Sequence, residues 1–153
     1  MRSGHAKVGR ANGVVFSYVD IEGRIARDHP LRLARDLINA ALGRLDAAFA
    51  KFYAREDRPS IPPERLLRAS LLQLLYTVRP ERRLMERLDF DLLCRWFVGL
   101  GIDDPVWDAS VFSKNRERLI NTEIAQGFLA ALLEALAVKR LLSRDHSRWT
   151  GRC

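Results

Sequence analysis

The sequence predicts an all-α protein, a compact bundle of about six helices that includes a portion with the outline of a helix-turn-helix. Apolar residues recur at helical spacing along most of the chain, and Val, Ile and Thr nowhere alternate with a period of two. The 153 residues suit one domain, a length that buries roughly two-thirds of the unfolded chain's surface. With 48% hydrophobic and 29% charged residues, the composition is typical of a globular protein.

The first predicted helix begins at Pro30, because proline fits the first helical position and Asp28 and His29 form a turn before it. Apolar residues spaced three and four apart then continue to about Tyr53. We therefore expect one long helix over this range, followed by a polar loop over residues 54–59.

The second predicted helix is capped by Ser60 and has prolines and Glu64 in its first turn. Its body, Leu66–Val78, is apolar on almost every side, which indicates a central, buried helix. We therefore expect three of its leucines to be buried, namely Leu71, Leu74 and Leu75.

Two short helices are predicted after Pro80, which disfavours helix at the residue before it and fits the first turn after it. The third helix is expected over residues 81–88. The fourth is expected over residues 91–98, where a Gly-Leu-Gly sequence ends it. Trp96 and Phe97 lie in this apolar helix, and we expect both in the core.

A turn at Asp103–Pro105 leads into the last two predicted helices, and Trp107 is expected to anchor this loop to the core. The fifth helix is capped by Asp108 or Ser110 and ends at about Ile120, and the sixth spans about 122–142. The acidic residues here could hold a cation, but a turn and a helix cap explain them better, since aspartate is favoured at both positions. These residues are Asp103, Asp104 and Asp108.

The net charge of +7 is concentrated at the two ends of the chain, because the stretch 13–138 contains as many acidic as basic residues. We divide the chain into a flexible basic tail over 1–15, a helical domain over 16–146 and a disordered tail over 147–153. A nucleic-acid partner would explain the 22 arginines beside 4 lysines, and so would GC-rich coding.

The sequence predicts no catalytic residue, no metal site and no cofactor in this chain. The three histidines are scattered, no His/Cys cluster has the spacing of metal ligands, and no glycine-rich phosphate loop is present. The lone pair Cys94 and Cys153 favours a reducing compartment. Neither a membrane span nor a signal peptide is recognisable, so we expect a cytoplasmic protein.

Lys114 and Arg118 lie one turn apart on the fifth predicted helix, with Asn115 and Arg116 on the flanks. A helix that reads a DNA groove needs cations for phosphates and an amide for base edges. The solvated side of an ordinary amphipathic helix has the same spacing, so both interpretations stay open. The opposite, apolar side consists of Val111, Phe112, Leu119 and Ile120.

Arg82 and Arg83 form a second basic arrangement, on the third predicted helix. Arg83 shares a face with Arg87, while Arg82 is placed to pair with Glu86 four residues later. With the tight junction at Pro80, this is the outline of a helix-turn-helix, a shape common among helical proteins. The candidate DNA-binding residues are therefore Lys114, Asn115, Arg116, Arg118, Arg82 and Arg83.

Five strings of residues, in order and at fixed spacing, resemble one family. They are Asp28–Leu31, Arg58–Leu67, Leu92–Leu100, Asp104–Asp108 and Val111–Leu119. From about residue 16 to residue 146, the chain resembles the amino-terminal domain of bacterial insertion-sequence transposases of the DDE type, the group named for insertion sequence five. The resemblance implies a helical domain that binds the element's terminal inverted repeats in double-stranded DNA during transposition.

The resemblance also implies a catalytic half that this chain does not continue into. In the family, a downstream RNase H-like domain uses three carboxylates and a divalent metal, such as Mg²⁺, to cut and join DNA. Residues 141–146 resemble the family's string Leu-Leu-Ser-Asp-Glu-His, but Ser147–Cys153 do not resemble its continuation, Phe-Ser-Val-Asp-Gly-Thr-Leu. Codons can be chosen for the family's continuation such that deleting one thymine shifts the reading frame and encodes the residues Ser147–Cys153 of this chain. We therefore interpret the chain as truncated by a frameshift and expect it to be inactive alone.

Two other functions also fit the sequence. The neutral stretch 13–138 could pack against a second copy or against full-length transposase, as a helical interaction module that inhibits transposition. Alternatively, the chain could be the product of a decaying gene with no selected role. Salt-dependent binding to an inverted repeat would separate the DNA-binding function from the interaction module.

Overall fold

The computed structural model describes residues 19–55 and 59–139, which form eight α-helices and no strand. The predicted all-α fold is confirmed. The predicted tails over 1–15 and 147–153 lie outside the described residues. In chain order the helices are α1 (Ile21–Arg24), α2 (Pro30–Gly43), α3 (Asp46–Arg55), α4 (Pro63–Leu75), α5 (Glu81–Phe90), α6 (Leu92–Val98), α7 (Ala109–Ile120) and α8 (Glu123–Lys139).

The helices pack around one apolar core. Helix α2 lies against α8, while α4 and α5 each contact both α6 and α7. Trp96 and Phe97 are buried on α6 as predicted, and Trp107 packs against the core as predicted. Side chains without exposed surface include Ile61, Ala69, Leu88, Cys94, Phe97 and Phe112.

Local chemistry at the helix ends matches the sequence in three places. At the start of α2, His29 Nδ1 accepts a hydrogen bond from the Leu31 N–H at 3.2 Å, and Pro30 is the first helical residue. At the start of α6, Asp91 Oδ1 accepts from two N–H groups of the first turn at 2.9 and 3.3 Å. Helix α6 ends at Gly99, whose φ of 89° is the left-handed conformation that glycine adopts readily.

The prediction of one long helix over residues 30–53 is wrong. The helix is interrupted at Arg44 and Leu45, after Gly43, a residue of low helix propensity. There the Leu45 N–H donates to the Leu42 carbonyl at 2.9 Å, a tight turn that ends α2. As a result α2 and α3 are separate helices, and each contacts α8.

The start of α4 and the short α1 also differ from prediction. Pro62, not Ser60, occupies the N-cap of α4, with no hydrogen bond from a capping side chain. Pro63 takes the first helical position and therefore needs no N–H partner. Helix α1 has only four residues, too few to produce a periodic signal in the sequence.

The predicted burial of Leu74 is wrong, because 74% of this residue is exposed. Leu71 and Leu75 are half-buried and pack against the core. Helix α4 is therefore not buried all round, and one side of its last turn faces solvent at Leu74. Its buried residues are Pro63, Leu66, Leu67, Ala69 and Leu72.

A buried arginine organises the loop between α6 and α7. Arg95 is 3% exposed, and its guanidinium donates to the backbone carbonyls of this loop and of the last turns of α5. Buried charge is costly unless hydrogen bonds satisfy it, so this network holds the loop in place. The accepting carbonyls belong to Leu88, Gly101, Ile102 and Asp104.

Glu22 attaches α1 to α2 and α6. Its carboxylate accepts hydrogen bonds from the Trp96 indole N–H and from Arg32, and Arg35 Nη1 lies 3.0 Å from the second oxygen. The guanidinium carbons of Arg32 and Arg35 lie 5.3 and 4.3 Å from the centroid of the Trp96 ring. The cation–π contacts and the carboxylate thus unite three helices around one indole.

Acid is expected to weaken the fold through Glu22. The hydrogen bonds from Trp96 and then Arg32 lower the pKa of Glu22 from 4.5 to about 2. Since the folded-state pKa is depressed, this stabilisation is present above pH 4.5 and is lost as the pH falls towards 2. Urea unfolding measures the free energy of unfolding at each pH. Between pH 4.5 and about 2, this free energy should fall more steeply for the wild-type protein than for Glu22→Gln. Parallel decreases in the two proteins would contradict the assignment.

No single helix in the described ranges is long and apolar enough to cross a membrane. Taken together, Ala109–Ile120 and Glu123–Leu136 have the length and composition of a membrane span, but the two helices are bent by 79° relative to each other.

Candidate nucleic-acid interface

Lys114 and Arg118 extend from the exposed side of α7. Both are exposed, whereas Phe112 and Leu119 on the other side are buried. Within the described residues, neither cation makes an ion pair or a hydrogen bond. Ile120, predicted on the apolar side, is exposed at the helix end. This side of α7 therefore offers two uncompensated positive charges one turn apart.

Arg116 faces the interior instead. Its Nη1 donates to Gln73 Oε1 of α4 at 2.9 Å, and its Nη2 forms an ion pair with Glu81 at the start of α5. The guanidinium carbon also lies 5.6 Å from the centroid of the Phe112 ring. Because Arg116 is two residues from Lys114, the two side chains are about 200° apart around the helix. In this structure Arg116 joins α7 to α4 and α5.

Asn115 is half-buried on the flank of α7. Its Nδ2 donates to the Val111 carbonyl at 2.7 Å, one turn back along the helix. An asparagine amide carries a second N–H and a carbonyl oxygen, which are the groups that a base edge requires. Base reading by Asn115 therefore stays a prediction.

Arg82 and Arg83 are exposed on α5, away from the buried residues Leu84, Met85 and Leu88. Across the part of the chain that the structure describes, the expected pair between Arg82 and Glu86 is not formed. Helices α5 and α7 are in contact. The fold thus places Arg82 and Arg83 on a helix that neighbours α7. Lys114 and Arg118 lie on the side of α7 opposite Arg116, which pairs with Glu81 of α5.

The acidic turn before α7 is used within the fold. Asp104 Oδ2 accepts a hydrogen bond from the Gly101 N–H at 2.9 Å, which matches the predicted turn. Asp108 occupies the predicted N-cap position of α7, but its side chain makes no capping hydrogen bond. Among the described residues, no group of three or more His, Cys, Asp or Glu side chains could hold a metal ion.

A third basic group, not predicted from the sequence, consists of Arg32, Arg35 and Arg68, and we call it the arginine cluster. Arg32 and Arg35 lie one turn apart on α2, and Arg68 comes from α4. Arg68 Nη2 donates to Asn39 Oδ1, also on α2. The only signal in the sequence is the spacing of Arg32 and Arg35, because Arg68 joins them through the fold.

The structure thus describes a small helical domain that presents basic side chains to solvent. A family model described as Transposase domain (DUF772) matches residues 19–118. The match covers more than half of the chain, so the chain belongs to this transposase-domain family. No curated protein and no solved structure matches the chain.

Proposed function

We propose that this chain is the DNA-binding part of an insertion-sequence transposase of the DDE type, in the group named for insertion sequence five. Its target would be the element's terminal inverted repeats. The observation that carries this proposal is the pair Lys114 and Arg118, both exposed and without intramolecular partners in the described ranges. Membership of a transposase-domain family supports the same assignment.

The dimensions of α7 suit a major groove. An α-helix with its side chains is about 10–12 Å in diameter, and the B-DNA major groove is about 12 Å wide. The 12 residues of α7 extend about 18 Å along the groove. In this arrangement Lys114 and Arg118 contact phosphates and set the position of the helix. Asn115 then reaches towards a base edge, while Arg82 and Arg83 on α5 supply further phosphate contacts.

Replacing Lys114 or Arg118 with Ala is expected to weaken DNA binding about equally on all sequences. Each variant should also reduce the slope of log K against log salt by about one, because one phosphate contact is lost. The probe is the duplex that the wild-type protein enriches from a random-sequence pool, measured by fluorescence anisotropy at several salt concentrations. The matched control is Lys51→Ala, since Lys51 is exposed on α3.

The scrambled form of the enriched duplex tests sequence recognition. The wild-type protein should prefer the enriched duplex, and Asn115→Ala should relax that preference at one position by roughly 1–3 kcal/mol. Equal affinity for the enriched and scrambled duplexes would overturn recognition of an inverted repeat. Equal salt slopes for Lys51→Ala and Lys114→Ala would overturn the role of α7.

A self-associating interaction module is the second candidate function, and the exposed side of α8 favours it. Leu129 and Leu133 lie one turn apart on α8 and are 56% and 55% exposed. The buried side of the same helix carries Ile124 and Phe128, so these two leucines add an apolar strip outside the core, beside the exposed polar residues Gln126 and Glu134. A second copy of this chain would bury this strip and remove its apolar surface from water.

Replacing Leu129 with Gln is expected to shift a dimer towards monomer in sedimentation equilibrium. The substitution removes an apolar side chain from the proposed contact while leaving the core of the monomer intact. Leu74→Gln is the matched control, because Leu74 is an exposed leucine on another helix. A wild-type protein that stays monomeric at high concentration would contradict self-association.

A further inference from the structure

The arginine cluster lies where α1, α2, α4 and α6 meet. Arg32 is held by backbone carbonyls, since its guanidinium donates to those of Glu22, Ile25 and Ala26 at 2.7–2.9 Å. Arg35 contacts Glu22 at 3.0 Å, and its Nε is buried without a hydrogen-bond partner. An unpaired buried donor costs free energy, so Arg35 keeps hydrogen-bonding capacity that this fold does not use.

Arg68 contributes a second incompletely compensated charge. Its Nη1 donates to the Phe97 carbonyl at 3.4 Å and its Nη2 to Asn39, both of which are neutral groups. Burial and then the nearby charge of Arg35 lower the pKa of Arg68, while Glu64 acts in the opposite direction. The Glu64 carboxylate itself accepts a hydrogen bond from the Tyr53 hydroxyl at 3.0 Å.

Charge in the cluster is therefore unbalanced. Three guanidinium groups converge, and in the described structure Glu22 is the one carboxylate in direct contact with any of them. The Glu22 side chain is 56% exposed and belongs to a four-residue helix without a side-chain cap. Solvent and ligands can therefore reach the Glu22 carboxylate, whereas Arg32 is also held by backbone carbonyls.

We propose that the arginine cluster is a phosphate-binding site that takes one phosphodiester of bound DNA, with Glu22 as an internal competitor. Guanidinium groups bind carboxylates and phosphates with the same forked geometry, so a phosphate can replace Glu22 on Arg35 and also engage Arg68. A phosphodiester is favoured over an acidic peptide because the chain belongs to a transposase-domain family. The inference rests on the proposed DNA-binding function and adds a contact surface separate from α7.

The distinctive expectation is that removing Glu22 improves binding. Glu22→Gln should tighten binding to a short random-sequence duplex by roughly two- to fivefold, the range of an exposed charge pair. Glu134→Gln is the matched control, because it removes the same charge from an exposed ion pair with the single arginine Arg44. It should leave the affinity nearly unchanged.

The arginines give the reciprocal test. Arg35→Gln and Arg68→Gln should each weaken duplex binding and reduce the salt slope by about one, with Arg44→Gln as the control. In the double variant with Arg35→Gln, the gain from Glu22→Gln should disappear, because the competitor and the phosphate share that arginine. Urea unfolding of each variant verifies the fold, and Arg68→Gln leaves all contacts of Glu22 in place.

The possible failures are distinguishable. If the wild-type protein binds no duplex, the proposed function and this inference both fall. If it binds DNA but Arg35→Gln and Arg68→Gln behave like Arg44→Gln, only the inference is overturned.

Two further results would identify another ligand for the arginine cluster. Stabilisation of the wild-type protein by pyrophosphate without any effect of Arg35→Gln on DNA binding would indicate a free phosphate ligand. A Glu22→Gln gain seen with poly-glutamate and not with DNA would indicate a protein partner. Either result overturns the DNA assignment.

Discussion

Replacing Leu72 with Ala is expected to lower the free energy of unfolding by about 2–5 kcal/mol. Leu72 is 1% exposed and lies on α4, which contacts both α6 and α7. Truncation removes apolar contacts and leaves a cavity that surrounding helices fill only in part. Urea denaturation followed by circular dichroism measures the change.

Leu74 provides a control on the same helix. It is two residues further along and 74% exposed, so Leu74→Ala should change the free energy of unfolding by no more than about 0.5 kcal/mol. A loss at Leu74 as large as that at Leu72 would mean that the end of α4 is covered in solution.

The contrast between these leucines marks what periodicity can predict. Leu67 and Leu74 are seven residues apart and so lie on the same side of α4. Yet Leu67 is 8% exposed and Leu74 is 74% exposed. Spacing identifies which residues share a side of a helix, but how much of that side other elements cover is a property of the tertiary structure.

The same distinction holds for the candidate interface. Spacing on one helix correctly put Lys114 and Arg118 on the exposed side of α7. It did not predict the contacts of Arg116, whose partners Gln73 and Glu81 are 43 and 35 positions away in sequence. The arginine cluster also depends on such a long-range contact, since Arg68 donates to Asn39 of α2, which is 29 positions away in sequence.

The burial of Arg95 was not predicted, although its position in the sequence is unusual. It is the only charged residue in the string Leu92–Leu100, which is otherwise apolar apart from glycine and cysteine. A charged residue in such a string either leaves the core or is satisfied within it. Sequence alone does not decide between these outcomes, because the accepting carbonyls come from a loop and from the preceding helix.

Replacing Arg95 with Met is expected to lower the free energy of unfolding by about 2 kcal/mol. Methionine retains the apolar bulk of the stem but no donor, so the carbonyls of Leu88, Gly101 and Ile102 lose their bond to the guanidinium. The bond to the Leu88 carbonyl is buried, and a buried carbonyl left unpaired costs about 1–3 kcal/mol. Gly101 and Ile102 are exposed residues, so their carbonyls add less. The stability of Arg95→Lys should lie between those of the wild type and Arg95→Met, because one ammonium group cannot reach both α5 and the loop. The control is Arg44→Met, which removes an exposed ion pair with Glu134 and should cost no more than about 1 kcal/mol. If Arg95→Met and Arg44→Met lose equal stability, the loop does not depend on the buried guanidinium.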